Sequence, residues 1–276
     1  MIWGFAFSFQ SIGGSSMGAF TFNAIRSLIG FIVVQPVVRI AYGKLRPDRA
    51  TLCGGIFCGI ALTLACNFQQ MGLLYTSPGK SGFITASYMI LVAIISVIMG
   101  KKTEKIILLA VVLGVVGLFF ICVPDGESLT VNRGDILTLI CALFYAIQIL
   151  IIDSFGDRIE PVKMCGIQFL VCGILTTVLA FIFDEPNLAA IKGNIGSILY
   201  VGILSTGVAY SLQMVGMREL NPSVASLIMS LESVFSVLGE WLILGSTLSN
   251  KALIGCGIMF VAIILSQVST FRKKES

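Results

Sequence analysis

The chain has 276 residues, 57% of them hydrophobic and only 12% charged, with a formal net charge of +4 and a mean hydropathy of +0.99. An ordinary soluble domain is about 45–50% apolar and about 25% charged, so this composition excludes a soluble enzyme, a disordered chain and a disulfide-stapled secreted module. At about 20 apolar residues per crossing, the length accommodates roughly ten membrane spans and no soluble domain.

Apolar runs bounded by charge, Pro or Asn predict spans at 1–16, 18–40, 51–75, 78–100, 105–123, 134–153, 161–183, 195–217, 222–244 and 251–270. The chain opens directly on Met1-Ile2-Trp3-Gly4-Phe5, without the basic start and cleavage site of a secretory signal, so the first run reads as a short retained span. The runs are too long and continuous for barrel strands, and in lipid each must satisfy its own backbone, so the expected architecture is an all-α bundle. Gly55 to Gly59, Gly114 to Gly117 and Gly255 to Gly257 are small-residue spacings that let helices approach closely.

Charge between the runs reports orientation. With a cytoplasmic N-terminus, one side collects Arg39, Lys44, Arg46, Arg49, Lys101, Lys102, Lys105, Arg158, Lys163, Arg218, Arg272, Lys273 and Lys274; the other holds Lys80, Arg133, Lys192 and Lys251. That asymmetry predicts an integral protein of a bacterial plasma membrane with both termini cytoplasmic. Scattered in short clusters, these cations do not form a nucleic-acid-binding face, and the expected partners are the lipid bilayer and a small-molecule solute, with the protein acting as a monomer or a homodimer. The eight cysteines lie within apolar runs, without a C-x-x-C pair and without any His in the chain, so no cofactor or metal is expected; they read as small packing residues.

Sliding the chain on itself by 144 residues aligns Asn67 to Gly72 with Ser211 to Gly216, and places Ala65 on Ala209, Gln69 on Gln213, Pro78 on Pro222 and Ile84 on Ile228. The matches fall at equivalent places in spans three to four and eight to nine. Two halves of five spans each follow, 1–128 and 129–270, with a basic tail at 271–276; an odd number of spans makes the second copy enter from the opposite side, as in many secondary transporters.

The sequence resembles the EamA-like members of the drug/metabolite transporter superfamily over essentially its whole length. The likeness is carried by Trp3-Gly4, by Arg26, by Tyr75-Thr76-Ser77-Pro78-Gly79-Lys80-Ser81-Gly82-Phe83-Ile84-Thr85, and by Ser230-Leu231-Glu232-Ser233-Val234-Phe235. It departs from the family pattern where Ser233 and Ala93 replace a helix-bending Pro and where Leu244-Gly245-Ser246 replaces Leu-Gly-Glu. The resemblance implies ten helices in two inverted five-helix repeats and export of amino acids or other small metabolites.

A carboxylate at the bilayer centre costs about 2.5–3.5 kcal/mol on insertion scales, so it faces a cavity or a partner. Glu232 lies about 15 Å along span nine, near the midplane, and is the sharpest site candidate. The repeat shift maps it onto Tyr88 and maps Gln213 onto Gln69; Gln70, Asn67, Tyr145, Gln148, Tyr210 and Ser211 extend this polar set as expected solute contacts, each with interhelical hydrogen bonding as its plainer reading. Lys80 and Ser81, behind Pro78 and Gly79, offer a cation and free backbone N–H groups to a carboxylate. Arg26 and Glu240 read as structural or gating residues, with an Arg26 pair to either glutamate open, and Trp3 reads as packing or lipid-facing. The expected function is a secondary transporter working by alternating access. An integral membrane enzyme or lipid-handling protein is the alternative, without a visible catalytic cluster, and a channel would need charge rings or filter loops that are not evident.

Overall fold

The computed structural model describes residues 1–100, 105–122, 131–218, 220–246 and 250–275. In chain order the helices are α1 (Ile2–Met17), α2 (Ala19–Tyr42), α3 (Arg49–Gly72), α4 (Pro78–Ala86), α5 (Tyr88–Ile98), α6 (Lys105–Cys122), α7 (Arg133–Phe155), α8 (Pro161–Phe183), α9 (Leu188–Gly193) and α10 (Ile195–Leu199). A π-helical stretch, Tyr200–Ala209, leads into α11 (Tyr210–Gly216), followed by α12 (Pro222–Met229), α13 (Glu232–Leu244) and α14 (Asn250–Glu275). Among the described residues there is no β-strand.

Among the described residues, seven stretches are long and apolar enough to cross a membrane: Ala19–Tyr42, Arg49–Gly72, Pro78–Ile98, Arg133–Arg158, Pro161–Phe183, Ile195–Gly216 and Pro222–Leu244. Lys105–Gly117 and Leu253–Leu265 are shorter apolar helices, and α1 has 16 residues. The surface is correspondingly inverted: Ile40, Phe181 and Phe183 are exposed while Asn23, Gln70, Gln148 and Gln168 are fully buried. Apolar side chains outside and hydrogen-bonding ones inside are what a lipid solvent selects.

Local chemistry sets the helix starts. Ser77 and Asn221 cap α4 and α12, each followed by Pro at the first helical position, where the missing N–H costs nothing. Asn132 and Asp135 form a reciprocal capping box at α7, and Asp48 accepts the Thr51 N–H at 2.7 Å to start α3.

The expected spans four and nine are each broken in two. Ser87 N donates to Ile84 O at 3.1 Å, and Leu231 N and Ser233 N donate to Ile228 O and Ser230 O at 3.2 and 3.0 Å, so both breaks are tightened turns made without Pro. Such turns in mid-helix often coincide with hinges, and these two are called so. They fall at shift-equivalent places: Tyr88 opens α5 and Glu232 opens α13.

α2 runs along α8, α3 along α7 and α8, α6 along α14, and α1 against α13. Gly55 and Gly59 make the α3–α8 contact close, since an added Cβ would stand 2.6 Å from Ile167 Cβ or from Val171 Cβ. Gly117 does the same for α6, with Gly255 O at 2.9 Å, whereas Gly257 faces nothing within 4 Å and is not part of a contact. At one end of the bundle the connections after α2, α7 and α11 meet: Lys163 Nζ donates to Arg46 O at 3.2 Å, Glu160 N to Thr51 Oγ1 at 3.0 Å and an Arg218 guanidinium nitrogen to Ile159 O at 3.3 Å. Several of the cations predicted to share a side therefore share an end of the molecule. Lys101 and Lys102 lie outside the described residues.

Candidate functional site: a central polar cavity

The bundle holds a central polar cavity, partly open to solvent, with about 430 Å³ of empty space when the open solvent is included. α1 contributes Trp3, Phe7 and Gln10, α2 Arg26, α3 Gln69, α5 Tyr88, and α7 Tyr145, Gln148 and Ile149; the π-helical stretch adds Ser205, α11 Tyr210 and Gln213, α12 Met229 and α13 Glu232. Glu232, Tyr88, Gln69, Gln213, Tyr145, Gln148 and Tyr210 were all expected there.

The two hinges place the central pair. Each hinge puts the first residue of the following half-helix at the cavity wall, so the Tyr88 phenol and the Glu232 carboxyl face each other. Gly4 allows α1 to press against this point: a Cβ there would lie 2.3 Å from Phe235 Cβ and 2.6 Å from Glu232 O. Any side chain at position 4 would push α1 off the start of α13.

A hydrogen-bonded chain lines one wall. Tyr210 donates to the Tyr145 hydroxyl at 3.2 Å and Tyr145 to Gln69 Oε1 at 3.4 Å, while Gln69 Nε2 donates to Thr85 Oγ1 at 3.2 Å. Trp3 is a cavity residue rather than a lipid-facing one: its Nε1 donates to Ser205 O at 3.1 Å and its ring meets Tyr210 edge-on at 4.9 Å. Glu232 Oε1, Arg26 Nη2, Gln10 Oε1, Gln148 Oε1 and Gln213 Oε1 are buried without a hydrogen-bond partner in the protein. Unused donors and acceptors grouped in residues that line one cavity offer hydrogen-bond partners to a polar molecule.

Other expected contacts sit elsewhere. Gln70 Nε2 donates to Gln10 O at 2.7 Å and braces α3 against α1, and Asn67 is engaged with Asn23 and Thr176 behind the cavity wall. Ser211 donates back to Gly207 O at 2.6 Å. Lys80 forms an ion pair with Asp135 at 2.8 Å, and Ser81 is fully buried away from the cavity lining. The Gly79 N–H expected to meet a solute instead meets Glu240 Oε2 at 2.6 Å. Arg26 is a cavity residue, and among the described residues neither glutamate lies within the 4.0 Å of an ion pair with it. Sequence reasoning missed Phe7, Gln10, Ile149, Ser205 and Met229. Gln10 carried a readable signal, as an amide within an apolar run; the others are ordinary residues of their helices.

The sequence model of the EamA-like transporter family matches the chain twice, over residues 1–123 and 132–267. The chain belongs to the EamA-like transporter family. An uncharacterized transporter of Archaeoglobus fulgidus is 31% identical over 266 residues, covering 96% of this chain and 82% of that protein. The uncharacterized transporter YoaV of Bacillus subtilis is 21% identical, covering 99% and 96%, and the uncharacterized inner membrane transporter YedA of Escherichia coli K12 is 24% identical, covering 96% and 87%. A solved crystal structure superposes with a TM-score of 0.77 over 100% of this chain and 98% of that one, at 18% identity, which is a likeness of fold. This EamA-like protein is a membrane transporter, and its partners are a small-molecule solute and membrane lipid.

Proposed function

We propose that this transporter exports small organic metabolites, amino acids foremost, by alternating access of two inverted five-helix repeats around the central cavity. The repeats are 1–128 and 129–270, ten spans in all, with the basic tail 271–276 and both termini in the cytoplasm of a cell bounded by the membrane that holds it. One observation carries the reading: the hinges at Ser87 and at Ser230 to Leu231 occupy equivalent places in the two halves and deliver Tyr88 and Glu232 to one cavity. Packing supports it, because the main contacts between halves have counterparts. α1 against α13 answers α7 against α4 and α5, while α2 on α8 and α6 on α14 answer themselves. Broken helices meeting at a pseudo-symmetric site are the hardware of transporters whose halves rock about a fixed centre.

Glu232, Tyr88, Gln69, Gln213, Tyr145, Gln148 and Tyr210 serve as the solute contacts in this reading, and Glu232 takes the solute's cationic or hydrogen-bond-donating group. The test is counterflow in proteoliposomes preloaded with a mixture of unlabelled amino acids and supplied with the same mixture labelled at trace level. Transient, saturable accumulation of label supports the proposal. Label entry that equals protein-free liposomes, or rises linearly with concentration, contradicts it.

A further inference from the structure

Arg26 is 2% exposed, at membrane depth, where a cation is costly unless it is compensated. Among the described residues it has no carboxylate within ion-pair distance; the groups around it are the thiols of Cys66 and Cys172 and the phenols of Tyr145 and Tyr210. Its Nε donates to Asn23 Oδ1 at 2.6 Å, while Nη2 is buried without an acceptor in a residue that lines the cavity.

The orientation of Asn23 is fixed by counting donors. Its Nδ2 donates to Cys66 O at 2.9 Å and to Asn67 Oδ1 at 3.0 Å, so both N–H bonds are used and Oδ1 is turned to the guanidinium. Asn67 is fixed in the same way one step further out, its Nδ2 donating to Thr63 O at 2.8 Å and Thr176 Oγ1 at 2.9 Å. A three-helix relay, from α8 through α3 to α2, thus holds Arg26 at Nε and leaves Nη2 without a protein partner in a residue that lines the cavity.

We infer that Arg26 is the seat for an anionic oxygen group of the solute, a carboxylate or a comparable oxyanion, and that Asn23 and Asn67 are positioning residues which orient the guanidinium for it. The inference rests on the transport reading only in taking the cavity as the solute site. A planar guanidinium with a free N–H edge matches a two-oxygen acceptor, and the anion supplies the compensation the protein withholds. Asn67 is thereby a residue that acts through Asn23 and Arg26 and does not touch the solute.

Trp3 reports on the cavity directly. In a Trp241→Phe background it is the sole tryptophan, so quenching of its emission measures binding of 3-phenylpropionate and of its uncharged isostere 3-phenylpropionamide. The carboxylate is expected to bind at least about tenfold more tightly than the amide, as a charge-assisted pair requires. Arg26→Gln removes that preference and Arg26→Lys keeps part of it. Asn67→Leu, and the milder Thr176→Val, reduce the preference several-fold while leaving amide binding unchanged, which a merely structural defect would not do. An unselective or absent carboxylate response in the parent, an unaltered preference in Arg26→Gln, or parallel loss of both probes in Thr176→Val would overturn the inference. Failure of the transport reading looks different: no counterflow, with this binding selectivity intact.

Discussion

The Glu240 carboxylate of α13 accepts the backbone N–H of Gly79, in the first turn of α4, at 2.6 Å. Lys80, the next residue, pairs with Asp135 of α7 at 2.8 Å, and Thr76 adds a 3.2 Å bond to the same carboxylate. One end of α4 is therefore tied to two helices of the other half. The repeat shift places Ser96 and Val224 where Glu240 and Lys80 stand, so the opposite end of the bundle lacks these charges.

This tie predicts an asymmetric gate. A hydrogen bond to a charged group contributes about 1.5–3 kcal/mol, so Glu240→Ala should lower the thermal midpoint in detergent and speed labelling of the cavity from the α4 end. Asp135→Asn should act in the same direction and add to it. Unchanged labelling in the double variant would make the tie a passive strut.

Glu232→Gln keeps the volume and one hydrogen-bonding oxygen while removing the charge. Counterflow should fall about tenfold or more, the equivalent of roughly 1.4 kcal/mol of lost solute recognition, with folded protein in the membrane within twofold of the parent. Equal loss of transport and of folded protein would give Glu232 a structural role.

The paired glycines of the repeat should respond differently to the same substitution. A Cβ on Gly72 would stand 2.5 Å from Thr138 Oγ1 and 3.0 Å from Gly134 O, where α3 crosses α7, while its repeat partner Gly216 faces nothing within 4 Å. Gly72→Ala should cost about 1–3 kcal/mol by overpacking, and Gly216→Ala should stay within about 0.5 kcal/mol, as thermal midpoints would show. Similar midpoints for the two would contradict the α3–α7 contact.

Asp48 lies outside the spans, and the Thr51 backbone N–H holds its carboxyl below the usual carboxylate range. With its folded value lowered, its contribution is complete above the unfolded value of about 3.9 and is lost as pH falls through the folded one. The stability deficit of Asp48→Asn should therefore be largest near neutral pH and shrink below about pH 4. A deficit that grows with acidity would reverse the sign.

Much of this was readable because its signals are local. Apolar run length placed the helices, Ser77-Pro78 and Asn221-Pro222 placed two helix starts, and the costly midplane carboxylate led to the cavity. The hinges escaped because the breaks use tightened turns at Ser87 and Ser230 where a Pro would have announced them. Lys80 and Gln70, expected at the solute, meet Asp135 and Gln10, 55 and 60 residues away, and periodicity carries no information on which polar neighbour a side chain meets. Arg26 is the instructive case. Its depth was legible, but its direction is set by Asn23 and Asn67 on two different helices.

The central claim is a single cavity reached in turn from both sides of the membrane, and Ser205 tests it most directly. It lines the cavity and is 2% exposed, Cys is a near-isosteric replacement for it, and the bond from Trp3 is to its backbone carbonyl, which the replacement keeps. In a background with the native cysteines replaced, Ser205→Cys would be treated with a membrane-impermeant thiol reagent in right-side-out and in inside-out vesicles. Alternating access predicts modification from both sides, slowed from both by saturating transported solute. Modification from one side only, under every solute condition, would contradict the account.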